Sequence, residues 1–459
     1  MTRFDLLAAL KGRFDGELSA PGDPGYDRHR LGWNRTVESR PAVVAAATGA
    51  ADIQHAVRAA REHDVPLAIQ ATGHGAVVAA DGALLLKTSS MAGVEIDPHR
   101  WVARVGPGAT WDDVNRAAAR FGLAGLAGRC GTVGVTGYTL GGGQSWLSRT
   151  FGFAADSVVS ADVVTADGTA LTATARQHPD LFWALRGGGG NFGVVTSLEF
   201  RLYPVPRVFA GMSLYPLERA ADTLSAYRRW ALDEPAGMNT AVLLPRLPSA
   251  PQVPEPFRGR RVLAIRVFHH GDADDGRRAL APLLDVAGPP LLDAFAMRTF
   301  PDAASATNGP DAPPMAHRQE VELFRSLPDD AVDAVVEAGA ADSPLAFVEV
   351  RHWGGAMADP PPDAGPAGHR DVPFSVLAVA PYPTSDRTAT DAHLDRLAGR
   401  LARHATGGSF LTLLTDRRRT RTAFTDANYA RLAAVKRTWD PGNVFHLNHN
   451  IPPTMEGTT

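Results

Sequence analysis

The feature that most constrains this chain is a glycine-rich segment, GLAGRCGTVGVTGYTLGGG, at residues 125–143. It holds Cys130, which is the only cysteine among 459 residues. Glycine lets a backbone approach a phosphate or an aromatic ring closely, and the run Gly141-Gly142-Gly143 offers such a surface. A glycine-rich turn with a small buried cysteine is the commoner arrangement, so this segment alone leaves packing and ligand binding both open.

Length and composition favour a soluble protein of at least two domains. A chain of 459 residues exceeds one ordinary core, and 44% hydrophobic with 21% charged residues is a normal globular balance. The formal net charge of −3 gives no reason to expect nucleic acid or an anionic membrane as a partner. The N-terminus lacks a signal-peptide pattern, no run approaches the roughly 20 apolar residues of a membrane span, and one cysteine allows no intrachain disulfide. We therefore expect a cytoplasmic protein.

The first ~200 residues alternate helical and extended patterns, as an α/β or α+β layer does. An apolar stripe from Ile53 to Ala60 predicts a helix capped at Thr48. Thr110 and Asp113 resemble a capping box that begins another helix. Residues 161–174 predict a hairpin that turns at Asp167-Gly168.

The middle of the chain has a different texture. Residues 247–258, 301–315 and 359–373 are rich in Pro, Ala, Gly and Asp and predict long loops. The apolar segments between them, at 261–268, 346–350 and 374–379, predict a mostly antiparallel sheet in a second domain. Asp426 is predicted to cap a last helix, which ends at Asp440-Pro441-Gly442.

Other short motifs favour structural roles. Gly188, Gly190 and Gly193 match G-x-G-x-x-G, but a helix precedes them and a strand follows, which is the reverse of a dinucleotide-binding fingerprint. We interpret them as a helix-to-strand turn. The basic residues of 417–421 predict a solvated loop, with an anionic substrate group as the minority interpretation. The histidines lack ligand partners at metal-site spacing, so no metal site is expected.

Three segments together resemble the berberine bridge enzyme-like family, within the vanillyl-alcohol oxidase and p-cresol methylhydroxylase superfamily. They are Gly73-His74-Gly75, the segment GRCGTVGVTGYTLGGG, and the closing segment NYARLAAVKRTWDPGNVFHLNHNIPP. The resemblance implies an α+β fold with a two-part FAD-binding domain formed by residues 1–205 and 430–459. Residues 206–429 would form a substrate domain, an antiparallel sheet covered by helices.

The resemblance also implies a cofactor, FAD, bonded to two side chains. In the family, the histidine at the position of His74 bonds the 8α-methyl carbon of the flavin, and the cysteine at the position of Cys130 bonds ring carbon 6. Both links are expected to raise the flavin's reduction potential. Valine at position 133 is compatible with oxygen access, and Tyr138 would stabilise charge on the reduced flavin. The residues placed against the cofactor by resemblance are Gly73, Gly75, Thr132, Val133, Gly134, Gly137, Tyr138, Gly141, Gly142, Gly143, Gly193, Val194, Asn448 and Asn450.

One departure from the family pattern concerns the catalytic base. The family usually carries a tyrosine in a Y-x-N element, where this chain has Phe410, and phenylalanine cannot accept a proton. Either another side chain takes the proton, or the substrate, for example a phenol or enol, arrives ionised. The candidates for a relocated base are Tyr382, which we favour, His352, His369 and Tyr429.

The predicted function is that of a FAD-dependent oxidase. A substrate C–H bond would give hydride to flavin N5, and oxygen would reoxidise the flavin to give hydrogen peroxide. The expected partners are oxygen and a small molecule, either a natural-product intermediate or a glycoside, in a secondary-metabolite pathway. The alternatives are a dehydrogenase or oxidative cyclase with another electron acceptor, and a flavin-carrying binding protein without catalysis. The oligomeric state stays open.

Overall fold

The computed structural model describes residues 3–251, 253–308, 312–382 and 387–453. Within these residues the strands before residue 206 form a mixed sheet, an antiparallel sheet and a short two-stranded ribbon. The strands are β1 (Glu17–Ser19), β2 (Val43–Ala46), β3 (Leu67–Gln70), β4 (Leu84–Lys87), β5 (Val94–Asp97), β6 (Val102–Val105), β7 (Leu123–Ala124), β8 (Val158–Val164), β9 (Ala170–Thr174), β10 (Val194–Arg201) and β11 (Tyr203–Pro204).

Helices connect these strands and also cover the later part of the chain. The α-helices are α1 (Arg3–Leu10), α2 (Tyr26–Arg30), α3 (Ala50–Glu62), α4 (Trp111–Ala119), α5 (Val135–Leu140), α6 (Ser148–Phe151), α7 (Pro179–Leu185), α8 (Ala220–Trp230), α9 (Ala273–Ala287), α10 (Phe300–Asn308), α11 (Asp329–Ala338), α12 (Thr388–Leu401) and α13 (Asp426–Trp439). Short 3₁₀ helices lie at Ala154–Ser157, Leu217–Arg219, Ala231–Asp233, Glu255–Phe257, Gly355–Met357 and Arg417–Ala423.

The first sheet has the order β1-β2-β4-β3 and positions His74. Strands β2, β4 and β3 are parallel, and helix α3 crosses from β2 to β3. Its strands are mostly apolar because helices pack on a parallel sheet. The loop that carries His74 begins at the carboxyl end of β3, which is where ligand-binding loops of parallel sheets lie.

The second sheet is antiparallel, with the order β5-β6-β10-β8-β9. Its β8–β9 hairpin confirms the predicted turn, since Val164 pairs with Ala170 and Gly168 has a φ of 80°. The predicted capping box at Thr110 and Asp113 is also present.

The later part of the chain contains an antiparallel sheet of order β15-β12-β14-β13-β17-β18-β16. Its strands are β12 (Arg207–Tyr215), β13 (Met238–Leu243), β14 (Leu263–His269), β15 (Ala296–Thr299), β16 (His317–Phe324), β17 (Phe347–His352) and β18 (Phe374–Pro381). We call the face bearing Ala241 and Phe268 the inner face, because these side chains join a core that contains many residues before position 206, the first region of the chain. The outer face bears Val242 and Ile265 and is covered by α8, α9, α11 and α12.

The C-terminal segment packs back on the first region through buried polar contacts. Lys436 on α13 is fully buried, and its Nζ donates to the Asn191 carbonyl at 2.7 Å and to the Asp440 carboxylate at 2.7 Å. The Asn448 amide donates to the carbonyl of Gly190. These contacts place residues 436–451 beside the turn between α7 and β10. The boundaries at 205 and 429 stay predictions.

Three local predictions were wrong. Residues 300–308 form helix α10 instead of a loop, because buried Phe300 and Ala303 anchor this alanine-rich stretch in the core, and 309–311 lie outside the described residues. Gly49 precedes α3, while the Thr48 hydroxyl donates to Asp52. Thr425, rather than Asp426, caps α13.

No helix in the part of the chain that the structure describes is long and apolar enough to span a bilayer.

Candidate functional site

His74 lies in the loop after β3, held by residues on both sides. Gly73 before it has a φ of 78°, and a Cβ there would lie 2.5 Å from the Cα of Gly32, so a side chain is excluded. The Trp33 indole stacks on the imidazole with ring centroids 4.2 Å apart and planes 16° apart. The backbone N–H of Trp33 donates to the carbonyl of Thr72. The plane of the His74 ring is therefore set by packing.

Cys130 and His74 converge on one hydroxyl group. The Oγ1 of Thr132 lies 3.0 Å from His74 Nε2 and 3.0 Å from Cys130 Sγ. The nitrogen and the sulfur are therefore no further apart than twice that distance, although 56 residues separate them in sequence. Cys130 is partly buried and forms no disulfide. The structure thus brings together the two residues predicted to hold the flavin.

The triple glycine at 141–143 is explained by protein packing. A Cβ at Gly143 would lie 2.4 Å from the Tyr138 ring, one at Gly142 would lie 3.0 Å from the Phe410 ring, and one at Gly141 would lie 2.7 Å from Thr412. Side chains of this chain therefore lie against the three glycines, as the packing alternative predicts. The placement of these glycines against a cofactor stays a prediction.

Other predicted glycines differ in their surroundings. A Cβ at Gly75 or Gly137 would meet no atom within 4 Å, so both border open space. Gly134 donates its N–H to the Thr72 hydroxyl and opens α5. Gly193 is required by packing, because a Cβ would lie 2.3 Å from Val163.

Four further residues are predicted to contact the cofactor, namely Val133, Val194, Asn448 and Asn450. Val133 packs against the core, and its carbonyl accepts from the backbone N–H of Trp111. Val194 is buried at the start of β10. Asn448 and Asn450 lie in the C-terminal segment, and among the described residues their buried Oδ1 atoms have no hydrogen-bond partner.

Tyr138 lies within the glycine segment, and its hydroxyl group is buried. Its ring lies between Gly128 and Gly143 and meets the ring of Trp111 edge-on. Burial raises its pKa far above the ordinary 10, although the charge of Arg351 opposes the shift. The hydroxyl has no hydrogen-bond partner among residues that the structure describes. Tyr138 is therefore neutral at ordinary pH and can donate a hydrogen bond, which fits a stabilising role rather than that of a base.

Two candidates for the base point away from the inner face. His352 lies on the outer face, where its Nδ1 is 2.6 Å from a Glu234 carboxylate oxygen, and burial together with the charge of Arg149 lowers its pKa to about 3. The Tyr382 hydroxyl donates to Asp391 on α12, and burial together with that carboxylate raises its pKa to about 12. The placement of His352 follows from the alternation of β17, because neighbouring side chains of a strand face opposite ways.

The other two candidates are engaged elsewhere. His369 has a φ of 55°, and its Nε2 lies 2.7 Å from the carbonyl oxygen of Thr422. Tyr429 is on α13, where its ring contacts Phe424 and the guanidinium of Arg421. The contacts described for these four candidates are with residues other than Cys130. Phe410 is fully buried against Phe153 and Trp353, as well as against Gly142.

Sequence reasoning missed a charged cluster on the inner face. Glu349 and Arg351 alternate with buried valines along β17, and Arg266 stands on β14. Arg266 Nη1 donates to a Glu349 oxygen at 2.9 Å, and Arg129 Nη1 lies 3.6 Å from the same oxygen. Because Arg129 precedes Cys130, this cluster adjoins the candidate flavin site. Charges at every second position of otherwise apolar strands, as in FVEVRH, were the available signal.

The electrostatics of Glu349 follow from this arrangement. Burial alone would raise its pKa, but the charges of Arg129, Arg266 and Arg351 outweigh burial and hold the pKa below the ordinary 4.5. The carboxylate is therefore ionised at neutral pH.

Three arginines of the basic run at 417–421 are already paired with carboxylates. Arg418 pairs with Asp416, Arg419 with Glu322, and Arg421 with Asp426. Within the described ranges, no group of three or more His, Cys, Asp or Glu side chains is arranged to hold a metal ion.

Comparison with known proteins gives two matching family models. A model described as FAD binding domain matches residues 41–174, and one described as berberine and berberine like matches residues 403–452. The chain is 30% identical to (R)-6-hydroxynicotine oxidase of Paenarthrobacter nicotinovorans, over 95% of this chain and 97% of that protein. It is 26% identical to xylooligosaccharide oxidase of Thermothelomyces thermophilus, over 92% of this chain and 89% of that protein.

The fold is shared with a solved structure. The crystal structure of 6-hydroxy-D-nicotine oxidase from Arthrobacter nicotinovorans superposes with a TM-score of 0.85 at 27% identity, covering 96% of this chain and 98% of that one. The predicted α+β fold is confirmed by this likeness.

Proposed function

Because this chain belongs to the berberine bridge enzyme-like family of FAD-linked oxidases, we propose that it is an oxidase whose FAD is bonded to both His74 and Cys130. The observation that carries the proposal is the shared contact of His74 Nε2 and Cys130 Sγ with the Thr132 hydroxyl. The 8-methyl group and carbon 6 lie on the same edge of the flavin ring. Two nucleophiles held this close suit that edge.

The residues of the site fit FAD. Gly75, next to His74 in the chain, and Gly137 both border open space. The buried Tyr138 hydroxyl has no hydrogen-bond partner within the described ranges, and a flavin carbonyl would supply one. A thiol held against an electron-poor ring reacts at an effective concentration far above that of a free thiol.

The chemistry that FAD supplies when bound is acceptance of a hydride from substrate and return of the electrons to oxygen as hydrogen peroxide. The chain supplies a hydrogen-bond donor, Tyr138, and an ionised carboxylate, Glu349. We assign proton acceptance to Glu349 because it is on the inner face and because Arg129 connects it to Cys130. Hydride loss from an alcohol leaves a protonated carbonyl group, which is strongly acidic, so even a carboxylate of low pKa accepts its proton. An amine leaves an iminium ion, which needs no base at this step.

The substrate class is proposed from the relatives. Their names describe oxidation of a hydroxynicotine and of xylooligosaccharides, which are an amine and a sugar. A small-molecule alcohol, sugar or amine is accordingly the class to test first, and tailoring of a secondary metabolite is the proposed setting.

An anaerobic screen tests this function. Purified protein is mixed with hydroxylated aglycones, oligosaccharides and cyclic amines, and bleaching of the flavin band is followed. An oxidase gives bleaching with a substrate, then rapid recovery and peroxide when oxygen is admitted. Bleaching without recovery in oxygen indicates a dehydrogenase, and a screen that produces no bleaching favours the flavin-carrying binding protein.

A further inference from the structure

A row of three paired residues crosses three strands of the inner face, with an arginine at each end. Ala241 on β13 pairs with Arg266 on β14 and with Arg351 on β17. The methyl group of Ala241 therefore separates two guanidinium-bearing positions on the same face. Asn239, two residues before Ala241, accepts from Arg351 Nε through its Oδ1 at 3.0 Å.

Positive charge exceeds negative charge in this cluster. Arg129, Arg266 and Arg351 act on one carboxylate, that of Glu349. Arg266 is 6% exposed and Arg351 is 4% exposed, and burial lowers the pKa of each to about 10. The nearby Glu234 contacts Arg149 and His352, and the charge of Arg351 also acts on it, but burial raises the pKa of Glu234 to about 8, so it carries little negative charge at pH 7. Buried charge without a partner is costly, so a cluster like this one is expected to receive an anion.

Unpaired donors stand beside the arginines. Within the described ranges, Arg266 Nε, Asn239 Nδ2 and Gln144 Nε2 are buried without a hydrogen-bond partner. Gln144 precedes Ser145, whose carbonyl accepts from Arg351 Nη2 at 2.9 Å. All three groups are donors, so an acceptor-rich ligand satisfies them.

We propose that this row binds the carboxylate of an anionic substrate, next to the flavin edge held by Cys130. The proposal deepens the oxidase function and rests on it. A carboxylate has two oxygens with about four lone-pair sites, which match several donors and the paired N–H groups of a guanidinium. A phenolate offers one oxygen and leaves more of these donors unsatisfied. Arg129, with a side chain 27% exposed, is the most accessible arginine of the three.

The test compares two probes that share one oxidisable group. 4-(Hydroxymethyl)benzoate and its methyl ester, with benzoate, acetate and 4-nitrophenolate, are titrated into the holoprotein. Binding is followed by perturbation of the flavin spectrum and by calorimetry. We expect at least one carboxylate to bind with a Kd below about 1 mM and the acid to bind roughly tenfold or more tightly than the ester.

Variants assign the binding to the cluster. Arg129→Gln, at a partly exposed position, is expected to remove that roughly tenfold preference for the acid, and Arg266→Lys to reduce it. Arg207→Gln, at an exposed arginine of the same sheet, is the control and should keep it. The flavin potential of Arg129→Gln is measured in parallel. A lowered potential with unchanged carboxylate binding would assign the arginines to the flavin and overturn the proposal.

The remaining outcomes also decide the matter. Equal binding of acid and ester, binding of 4-nitrophenolate alone, or no carboxylate bound below about 1 mM would each overturn the carboxylate site. Failure of the oxidase function is seen separately. In that case carboxylates bind with the expected preference, but no compound of the panel bleaches the flavin. If neutral alcohols bleach it while acid and ester bind equally, the oxidase stands and the carboxylate site falls.

Discussion

The imidazole of His74 is stacked on the indole of Trp33, with ring centroids 4.2 Å apart. Trp33 is itself bonded to the loop that carries His74, because the backbone N–H of Trp33 donates to the Thr72 carbonyl at 2.9 Å. The orientation of the His74 ring is thus fixed by a residue 41 positions earlier in the chain, and the proposed attachment to a flavin would depend on this orientation.

Removing the stack should slow attachment through His74. In a Cys130→Ala background, where His74 is the remaining tether, Trp33→Leu is expected to lower the fraction of flavin that stays with denatured protein. Trp33→Phe keeps an aromatic surface and should retain most of it. Flavin absorbance of acid-precipitated pellets measures the fraction, and complete attachment in the Trp33→Leu protein would show that the stack is dispensable.

Sequence reasoning predicted part of this site but not all of it. His74 and Cys130 each stand in a short segment that resembles a family motif, so the resemblance was enough to pair them. Trp33 and Glu349 reach the site through tertiary contacts, and no local signal shows which residue they meet. His352 lies on the outer face although Arg351 beside it faces inward, because one position along a strand changes the face.

Loss of the cysteine link should lower the flavin's reduction potential. Cys130→Ala is expected to shift it downward by ~30 mV, which corresponds to about 1.4 kcal/mol for two electrons. If the whole change appears in the barrier, flavin reduction slows up to about tenfold. A dye-equilibration titration measures the potential, and an equal or higher value in the variant would refute this expectation.

The pH profile of flavin reduction should identify the type of base. Glu349 has a pKa held below 4.5, so it is ionised throughout the usual range. With a saturating neutral substrate, the limiting rate of reduction should show no inflection between about pH 5 and pH 9. An inflection near the ordinary histidine pKa, about 6.5, or a steady rise toward pH 9 as a tyrosine base would give, would contradict the assignment.

The rate of flavin reduction in the Glu349→Gln variant tests the same assignment of Glu349 as the base. The rate of flavin reduction should fall by roughly 10²–10⁴ because the amide cannot accept the proton. Glu218→Gln, at an exposed position before α8, should reduce at the wild-type rate. Equal rates in the Glu349→Gln and wild-type proteins would exclude Glu349 as the acceptor.

The fold was predictable where local signals dominate. The Asp-Gly hairpin and the Thr110 capping box are set by a few neighbouring residues, and both were placed correctly. Helix α10 was missed because its alanine-rich sequence resembles a loop until Phe300 and Ala303 are known to be buried. The order of the strands in the sheet formed by β12 to β18 depends on long-range pairing, which a single sequence does not display.

The C-terminal segment should depend on one buried pair. The Asp440 carboxylate accepts from Lys436 Nζ at 2.7 Å and from the N–H groups of Val444 and Phe445. Asp440→Ala leaves the buried ammonium unpaired, so the free energy of unfolding should fall by about 3–5 kcal/mol. Asp426→Ala, whose carboxylate is 90% exposed, should cost less than about 1 kcal/mol. Urea denaturation measures both, and equal midpoints for the two variants would contradict the role of this pair.

The central claim is that one flavin is bonded to both His74 and Cys130, and intact-protein mass spectrometry under denaturing conditions tests it most directly. The account predicts that wild-type protein carries the mass of one FAD. The single variants His74→Ala and Cys130→Ala should each keep that mass through the remaining link, and the double variant should lose it entirely. A wild-type mass equal to that of the bare polypeptide, or retained FAD in the double variant, would contradict the account.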